Sequence, residues 1–402
     1  MREIVVRTVM VLVTILVMML AVEGALRLMP SLIGVAVLER FAPSLRGEIA
    51  SRLGLATRAD RLVIATQERS DKGPNLNLHF PNRRYVRPVD EADRAAGAVD
   101  NFDTDSLGFC NPPEIAERRP MHVLTIGGSI PNCAGTAASD NYTARLGQIL
   151  QINSYNMAVP GVGPYEYLET LRRFGERLSP QIVIMAIAEA NDLRDIERFL
   201  KFKADQSNSA KKKKKPSDGI FAASYALAFL KSGIEVAVKS VRESLGPNFR
   251  YTAMVQNKRV ALNVNSGDLD ELKLALRLGE GKVSPQLYEE SIGQFAAIAR
   301  ERGFVPLVLL VPAVYTVYAD SIQFEDAKIA PAMHNYSDAQ RKWLADNSAR
   351  LGVRFFDATE KMRELAKDRP LLFFPSNVHL TQEGHKALAE AVAPAVGELL
   401  KP

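Results

Sequence analysis

From His122 onward, short apolar runs alternate with segments of helical spacing. "HVLTIG", "SYNMA", "QIVIMAI", "VPLVLLV" and "VRFFD" are the apolar runs. Between and after them stand "NYTARLGQIL", "PYEYLETLRRFGERL", "SPQLYEESIGQFAAIARERG", "SDAQRKWLADNSARLG" and "TQEGHKALAEAVAPAVGELL". The second of these segments starts on Pro164, suited to a first turn, and repeats apolar residues at Tyr167, Leu168, Leu171, Phe174 and Leu178. The fourth opens on Ser337, read as an N-cap, and ends on Gly352. Unbroken runs such as "QIVIMAI" suit strands covered on both faces. Alternation of this kind predicts a parallel sheet with helices on both sides, and ligands then bind beyond the carboxyl ends of the strands.

The first 29 residues follow a different pattern. No charge falls between Thr8 and Val22, and Arg2 and Arg7 precede this stretch. Glu23 spoils the small-x-small cleavage site that would end at Ala25. This reads as an uncleaved signal anchor over 1–29, with the N-terminus cytoplasmic and the remainder outside, periplasmic in a Gram-negative cell. Residues 30–115 are polar and rich in Pro and Arg, and read as a stalk and lead-in. The main domain is expected over 116–402, interrupted at about 201–281 by a basic loop and a helical insertion. That loop, "KADQSNSAKKKKKPSDG", has the composition of a mobile segment. The insertion, "IFAASYALAFLKSGIEVAVKSVRES", reads as a core or lid helix, because Lys231, Glu235 and Lys239 argue against a second span.

Charge adds little. The net value is +5, from 51 basic and 46 acidic residues, and the run Lys211 to Lys215 accounts for it. Nothing points to a nucleic-acid partner. No His, Cys, Asp and Glu cluster has metal spacing, and neither a P-loop nor a dinucleotide fingerprint occurs, so no metal and no cofactor is expected. Cys110 and Cys133 flank the first strand, and outside the cytoplasm they could pair if both loops fold back over the sheet. The alternative is two small buried thiols.

The candidate chemistry follows the strands. After the first comes Gly127-Gly128-Ser129; after the second, Gly161 and Gly163; after the third, Asn191-Asp192; and His379 stands just before the last helix. A serine hydroxyl is a weak nucleophile and needs an adjacent base, a role open to His379. The backbone amides of Ser129 and Gly161 and the side-chain amide of Asn191 are three donors of the type an oxyanion needs. Each motif alone is weak, but the four in this order point to acyl transfer.

On these four blocks the chain resembles the SGNH (GDSL-type) hydrolases, from about Asp103 ("DTDSLGFCNPPE") to the C-terminus. The resemblance implies a flavodoxin-like three-layer α/β/α sandwich. It makes Ser129 the nucleophile, Ser129, Gly161 and Asn191 the oxyanion hole, and His379 the base. Two positions depart from the family pattern. Gly128 stands where Asp usually precedes the serine. Ser376, followed by Asn377, stands where D-x-x-H would supply the carboxylate that orients the histidine. Ser376, Asn377 or a backbone carbonyl could orient the imidazole instead, and Asp357 could contribute or simply cap a helix. His385 reads as a surface or packing residue.

The expected activity is hydrolysis of small acyl esters, O-acetyl above all, on a carbohydrate or cell-envelope glycan. The expected partners are that acylated carbohydrate, the membrane through the N-terminal helix, and an envelope or polysaccharide-export complex. Two further readings stand beside it: an O-acetyltransferase of an exported polysaccharide, and a carbohydrate-binding pseudoenzyme without the usual carboxylate.

Overall fold

The structure is a computed structural model that describes residues 2–57, 59–64, 76–208, 223–245, 250–262, 269–377 and 379–401. The lysine run Lys211 to Lys215 lies outside the described residues. Two compact units arise. One comprises 1–60, 84–88 and 211–246, and the other comprises 61–83, 89–210 and 247–402.

The smaller unit begins with α1 (Arg2–Leu28), whose mean hydropathy reaches 2.6 over its most apolar window. Its 27 residues span about 40 Å at 1.5 Å each, enough to cross a bilayer. Among the described residues it is the one helix long and apolar enough to do so. The segment expected to be an irregular stalk carries a short helix, Val35–Leu38, and α2 (Pro43–Arg52). Leu38, Phe41, Leu45 and Ile49 recur at three- and four-residue spacing and pack with Leu26, Tyr225 and Ala228. The insertion forms a single helix, Tyr225–Leu245. Glu23 accepts hydrogen bonds from Ser224 Oγ and Ala226 N, both at 2.8 Å, at the head of that helix. Arg27 stacks on the Tyr225 ring at 4.8 Å.

The larger unit holds the parallel sheet. Its strands are β1 (Val123–Gly127), β2 (Ser154–Asn156), β3 (Ile182–Ala188), β4 (Val305–Val311) and β5 (Arg354–Asp357). They lie in the order β5-β4-β3-β1-β2. Every pair is parallel, with Val123 opposite both Ser154 and Ile182, Ile182 opposite Val305, and Leu307 opposite Arg354. This is the flavodoxin-like order, and its direction of winding reverses between β1 and β3. All residues of β1 and β3 are buried, which explains their unbroken apolar runs.

The helices of this unit include α3 (Glu91–Ala95), α4 (Tyr142–Leu150), α5 (Pro164–Phe174), α6 (Asp192–Asn208), α7 (Leu269–Gly279), α8 (Tyr288–Arg302), α9 (Ala330–Asn347), α10 (Thr359–Ala366) and α11 (Gln382–Leu399). α4 packs on α11, and α5 packs on α8. Right-handed crossovers put these two pairs on opposite faces of the sheet. α9 starts seven residues before Ser337, with Pro331 in its first turn. Ser337 is therefore no N-cap. It is buried mid-helix, 3.2 Å from Thr316 Oγ, because Met333 and Tyr336 already belong to the buried stripe. α6 runs on to Asn208, so the start of the expected mobile loop is helical. The insertion also contributes a hairpin, Tyr251–Val255 with Lys258–Leu262, turning on Gln256 and Asn257 at positive φ.

Candidate active site

Because the sheet is parallel, the residues following β1, β2 and β3 emerge at one edge. Ser129 stands two residues past β1 and is partly buried. A side chain at Gly128 would place its Cβ 2.7 Å from the Tyr167 hydroxyl and 3.3 Å from the Val162 carbonyl. Tyr167 in turn donates to Asp192 Oδ1 at 2.8 Å. The space that an aspartate before the serine would need is thus filled by a tyrosine from α5. The loop beyond Ser129 is clamped on two sides: Asn156 Nδ2 donates to the Pro131 carbonyl at 2.8 Å, and Asn132 Nδ2 to the Ala158 carbonyl at 3.0 Å.

Gly161 lies between β2 and α5 with φ +78°, a conformation that favours glycine. Its carbonyl accepts from Arg198 Nη2 of α6 at 3.1 Å. Asn191 heads α6, and its Nδ2 donates one hydrogen to Asp195 Oδ2 at 2.9 Å. A carboxylate can only accept, so this bond fixes which end of the amide is the nitrogen and leaves the second N–H for another acceptor. Burial pushes the Asp192 carboxyl well above its usual range, and the charge of Asp195 adds to the effect.

His379 precedes α11. His385, in the first turn of that helix, accepts from the Tyr142 backbone N–H at the head of α4 at 3.1 Å. That bond ties the two helix starts together beside the strand ends. His385 is 1% exposed, a packing residue and not a surface one. Burial, with smaller contributions from nearby His379 and Arg145, lowers its pKa to about 3, so it stays neutral.

The imidazole of His379 has its Nδ1 2.8 Å from Asn377 Oδ1, and the same oxygen accepts the His379 backbone N–H at 3.0 Å. Asn377 Nδ2 donates to Asp93 Oδ2 at 2.5 Å. Asp93 belongs to α3 and is 3% exposed. Its carboxylate forces the amide nitrogen of Asn377 toward itself, so the amide oxygen faces His379. Nδ1 must then carry the proton, and Nε2 is left as the basic nitrogen. Ser376, in the position of the usual aspartate, is engaged by two carboxylates. Its N–H donates to Asp93 Oδ1 at 2.9 Å, and its hydroxyl lies between Asp93 and Asp90. The carboxylate absent from the local motif thus arrives from α3, one amide further out. Asp93 and Asp90 escape a sequence reading because "DEADRA" looks only like a helix start. Asp357 is engaged elsewhere: it accepts from Thr359 N at 2.9 Å and from Arg341 Nε at 2.7 Å.

Cys110 and Cys133 form a disulfide, with Cα atoms 6.1 Å apart. The "DTDSLGFCNPPE" block makes the approach, because Asp105 accepts from Leu107 N, Asn111 Nδ2 and Tyr155 Oη, and Asn111 Oδ1 accepts from Asn156 N beside β2. No group of three metal-ligating side chains occurs among the described residues.

No family model matches the sequence, and no curated protein matches it. Solved structures similar to it include an alpha/beta hydrolase enzyme from the metagenome of Lake Arreo, Spain, at 16% identity and a TM-score of 0.35, covering 70% of this chain and 97% of that one. A GDSL-like lipase from Bacteroides thetaiotaomicron is similar at 13% identity and a TM-score of 0.34, over 71% and 95% of the two chains. A mutant acetyl-xylooligosaccharide esterase from Geobacillus is similar at 14% identity and a TM-score of 0.34, over 70% and 97%.

Proposed function

We propose that the chain is a membrane-anchored serine esterase of SGNH type that removes small acyl groups, chiefly O-acetyl, from a carbohydrate outside the cytoplasm. The observation that carries this reading is the hydrogen bond from His379 Nδ1 to Asn377 Oδ1, held in direction by Asp93. It favours the tautomer a general base requires, and so supports an active site over a binding-only protein despite the missing aspartate.

The reaction runs in two halves. Ser129 Oγ gives its proton to His379 Nε2 and bonds to the ester carbon. The backbone amides of Ser129 and Gly161 and the Nδ2 of Asn191 receive the oxyanion. The imidazolium then protonates the departing sugar oxygen as the ester C–O bond breaks. Water, deprotonated by the same nitrogen, cleaves the acyl-serine and restores the free hydroxyl. The Cys110–Cys133 disulfide supports an oxidising compartment. The bonds from Glu23 to the head of the Tyr225–Leu245 helix support retention of α1, since cleavage at Ala25 would remove that acceptor.

The test is labelling of the detergent-solubilised full chain with a fluorophosphonate, read by mass spectrometry. Modification of Ser129 that disappears in His379→Ala is expected. A folded chain that takes no label at Ser129 overturns the proposal.

A further inference from the structure

The Tyr225–Leu245 helix carries apolar residues on two faces. One face is packed. Tyr225, Ala228 and Ser232 are buried, and the first two join Leu26, Leu38, Leu45 and Ile49 in the core of the smaller unit. The other face is open. Leu230, Ile234 and Val238 are 48%, 63% and 52% exposed. They follow one another in four-residue steps and so form one row along the helix. Half-buried Leu227 precedes the row, and exposed Ala237 lies beside its end. At 3.6 residues per turn, Ile234 points about 200° away from Ser232, which sets the row opposite the packed face.

The head of this helix is fixed to the end of α1. Thr8 to Val22 carry no charge, and Glu23 is the first carboxylate beyond them. A carboxylate is costly in hydrocarbon, so in a bilayer Glu23 stands at the level of the headgroups. Glu23 Oε2 accepts from Ser224 Oγ and Ala226 N at 2.8 Å, and Arg27 Nη2 donates to the Ala223 carbonyl at 3.2 Å. These bonds hold the first turn of the helix at the same level. Among the described residues of α1, Leu26 alone is buried, so the helix crosses the end of the span and does not run down beside it. The packed face rests on residues that follow Leu28 in the chain, beyond Glu23, and the open row is turned away from them. Leu28, Met29 and Leu32, where the chain leaves α1, are exposed as well.

The composition of the row selects its partner. A stable protein interface needs about 800 Å² from each side and centres on aromatic or arginine anchors. Leu230, Ile234 and Val238 are small aliphatic side chains in a single row. The boundary between headgroups and acyl chains asks only for apolar area at the right depth.

We infer that the Tyr225–Leu245 helix lies on the bilayer surface and sinks Leu230, Ile234 and Val238 into the boundary between headgroups and acyl chains. The inference rests on the membrane anchor of the proposed function and not on its chemistry.

The test places one cysteine at a time in the full chain, Ile234→Cys or Val238→Cys, for labelling with a polarity-sensitive fluorophore. The native pair is already closed as a disulfide. Leu12→Cys in α1 and Ser51→Cys, exposed on α2, are the references. Each chain is placed singly in nanodiscs of phosphatidylcholine and phosphatidylglycerol, with a spin label on the lipid either high on the acyl chain or near its end. The probes on Ile234→Cys and Val238→Cys should emit at shorter wavelength than that on Ser51→Cys, and the high label should quench them at least about twofold more. Emission and quenching like those of the Ser51→Cys probe overturn the inference. Short-wavelength emission without quenching overturns it too, since protein and not lipid then covers the row. The Leu12→Cys probe reports separately on the anchor through the deeper label. Quenching there but at neither helix position refutes the surface helix alone. Quenching at both helix positions without quenching in α1 refutes the span and leaves the surface helix standing.

Discussion

Replacing Asp93 with asparagine interrogates the relay behind His379. In the native chain the carboxylate holds the Asn377 amide in one orientation through a charge-assisted bond of 2.5 Å. Removing the charge forfeits about 1.5–3 kcal/mol of that hold and allows the amide to present its nitrogen to the imidazole, which favours the unproductive tautomer. A second loss is electrostatic. One hydrogen bond of 2.5 Å, the width of an amide and another of 2.8 Å put the carboxylate about 7 Å from the ring. At an effective dielectric constant of ~20, that separation is worth about 2 kcal/mol to the imidazolium, roughly 30-fold in rate or about 1.5 pH units. Asp93→Asn should therefore slow p-nitrophenyl acetate hydrolysis and fluorophosphonate labelling about 30-fold or more. It should also move the acidic limb of the pH profile downward by about 1.5 units, because a nearby negative charge that favoured the protonated ring is gone. A loss of activity with the acidic limb unmoved would mean that Asp93 merely holds the Ser376 loop. Activity and profile both unchanged would refute the relay altogether.

Two further outcomes follow from the same geometry. Gly128→Asp, which restores the family's usual residue before the serine, should lower stability by about 1–3 kcal/mol in urea titrations, because its Cβ meets the Tyr167 hydroxyl at 2.7 Å; unchanged stability would refute the steric account. Burial pushes Glu166 up to about 7, so between the ordinary 4.5 and 7 the folded chain keeps a proton that the unfolded chain has released. Its contribution to stability is lost as pH rises through that window, by about 3 kcal/mol. Glu166→Gln should remove that part of the pH dependence, and a difference curve flat between the two chains would contradict it.

The sequence by itself determined the layers. The central strands β1, β3 and β4 show as apolar runs, because a strand buried on both faces can hold little else, and the long helices between strands show as a 3.6-residue repeat. Ser129, Gly161 and Asn191 could be found because each follows its strand within five residues, so strand direction alone carries them to one edge. α1 was legible for the same reason, as an apolar stretch long enough to span a bilayer. What the tertiary structure decided are partnerships between distant positions. Asp93 reaches Asn377 and Ser376 across more than 280 residues. Glu23 caps a helix about 200 residues later. Tyr167 fills the space that Gly128 leaves open. Ser337 looked like a cap because serine before a helical repeat usually is one, and only the packing of Met333 and Tyr336 carried α9 back to Ala330. Periodicity and turn chemistry are written within a few residues of where they act. A hydrogen-bond partner leaves no such local trace, since any carboxylate brought within 3 Å by the fold serves equally well.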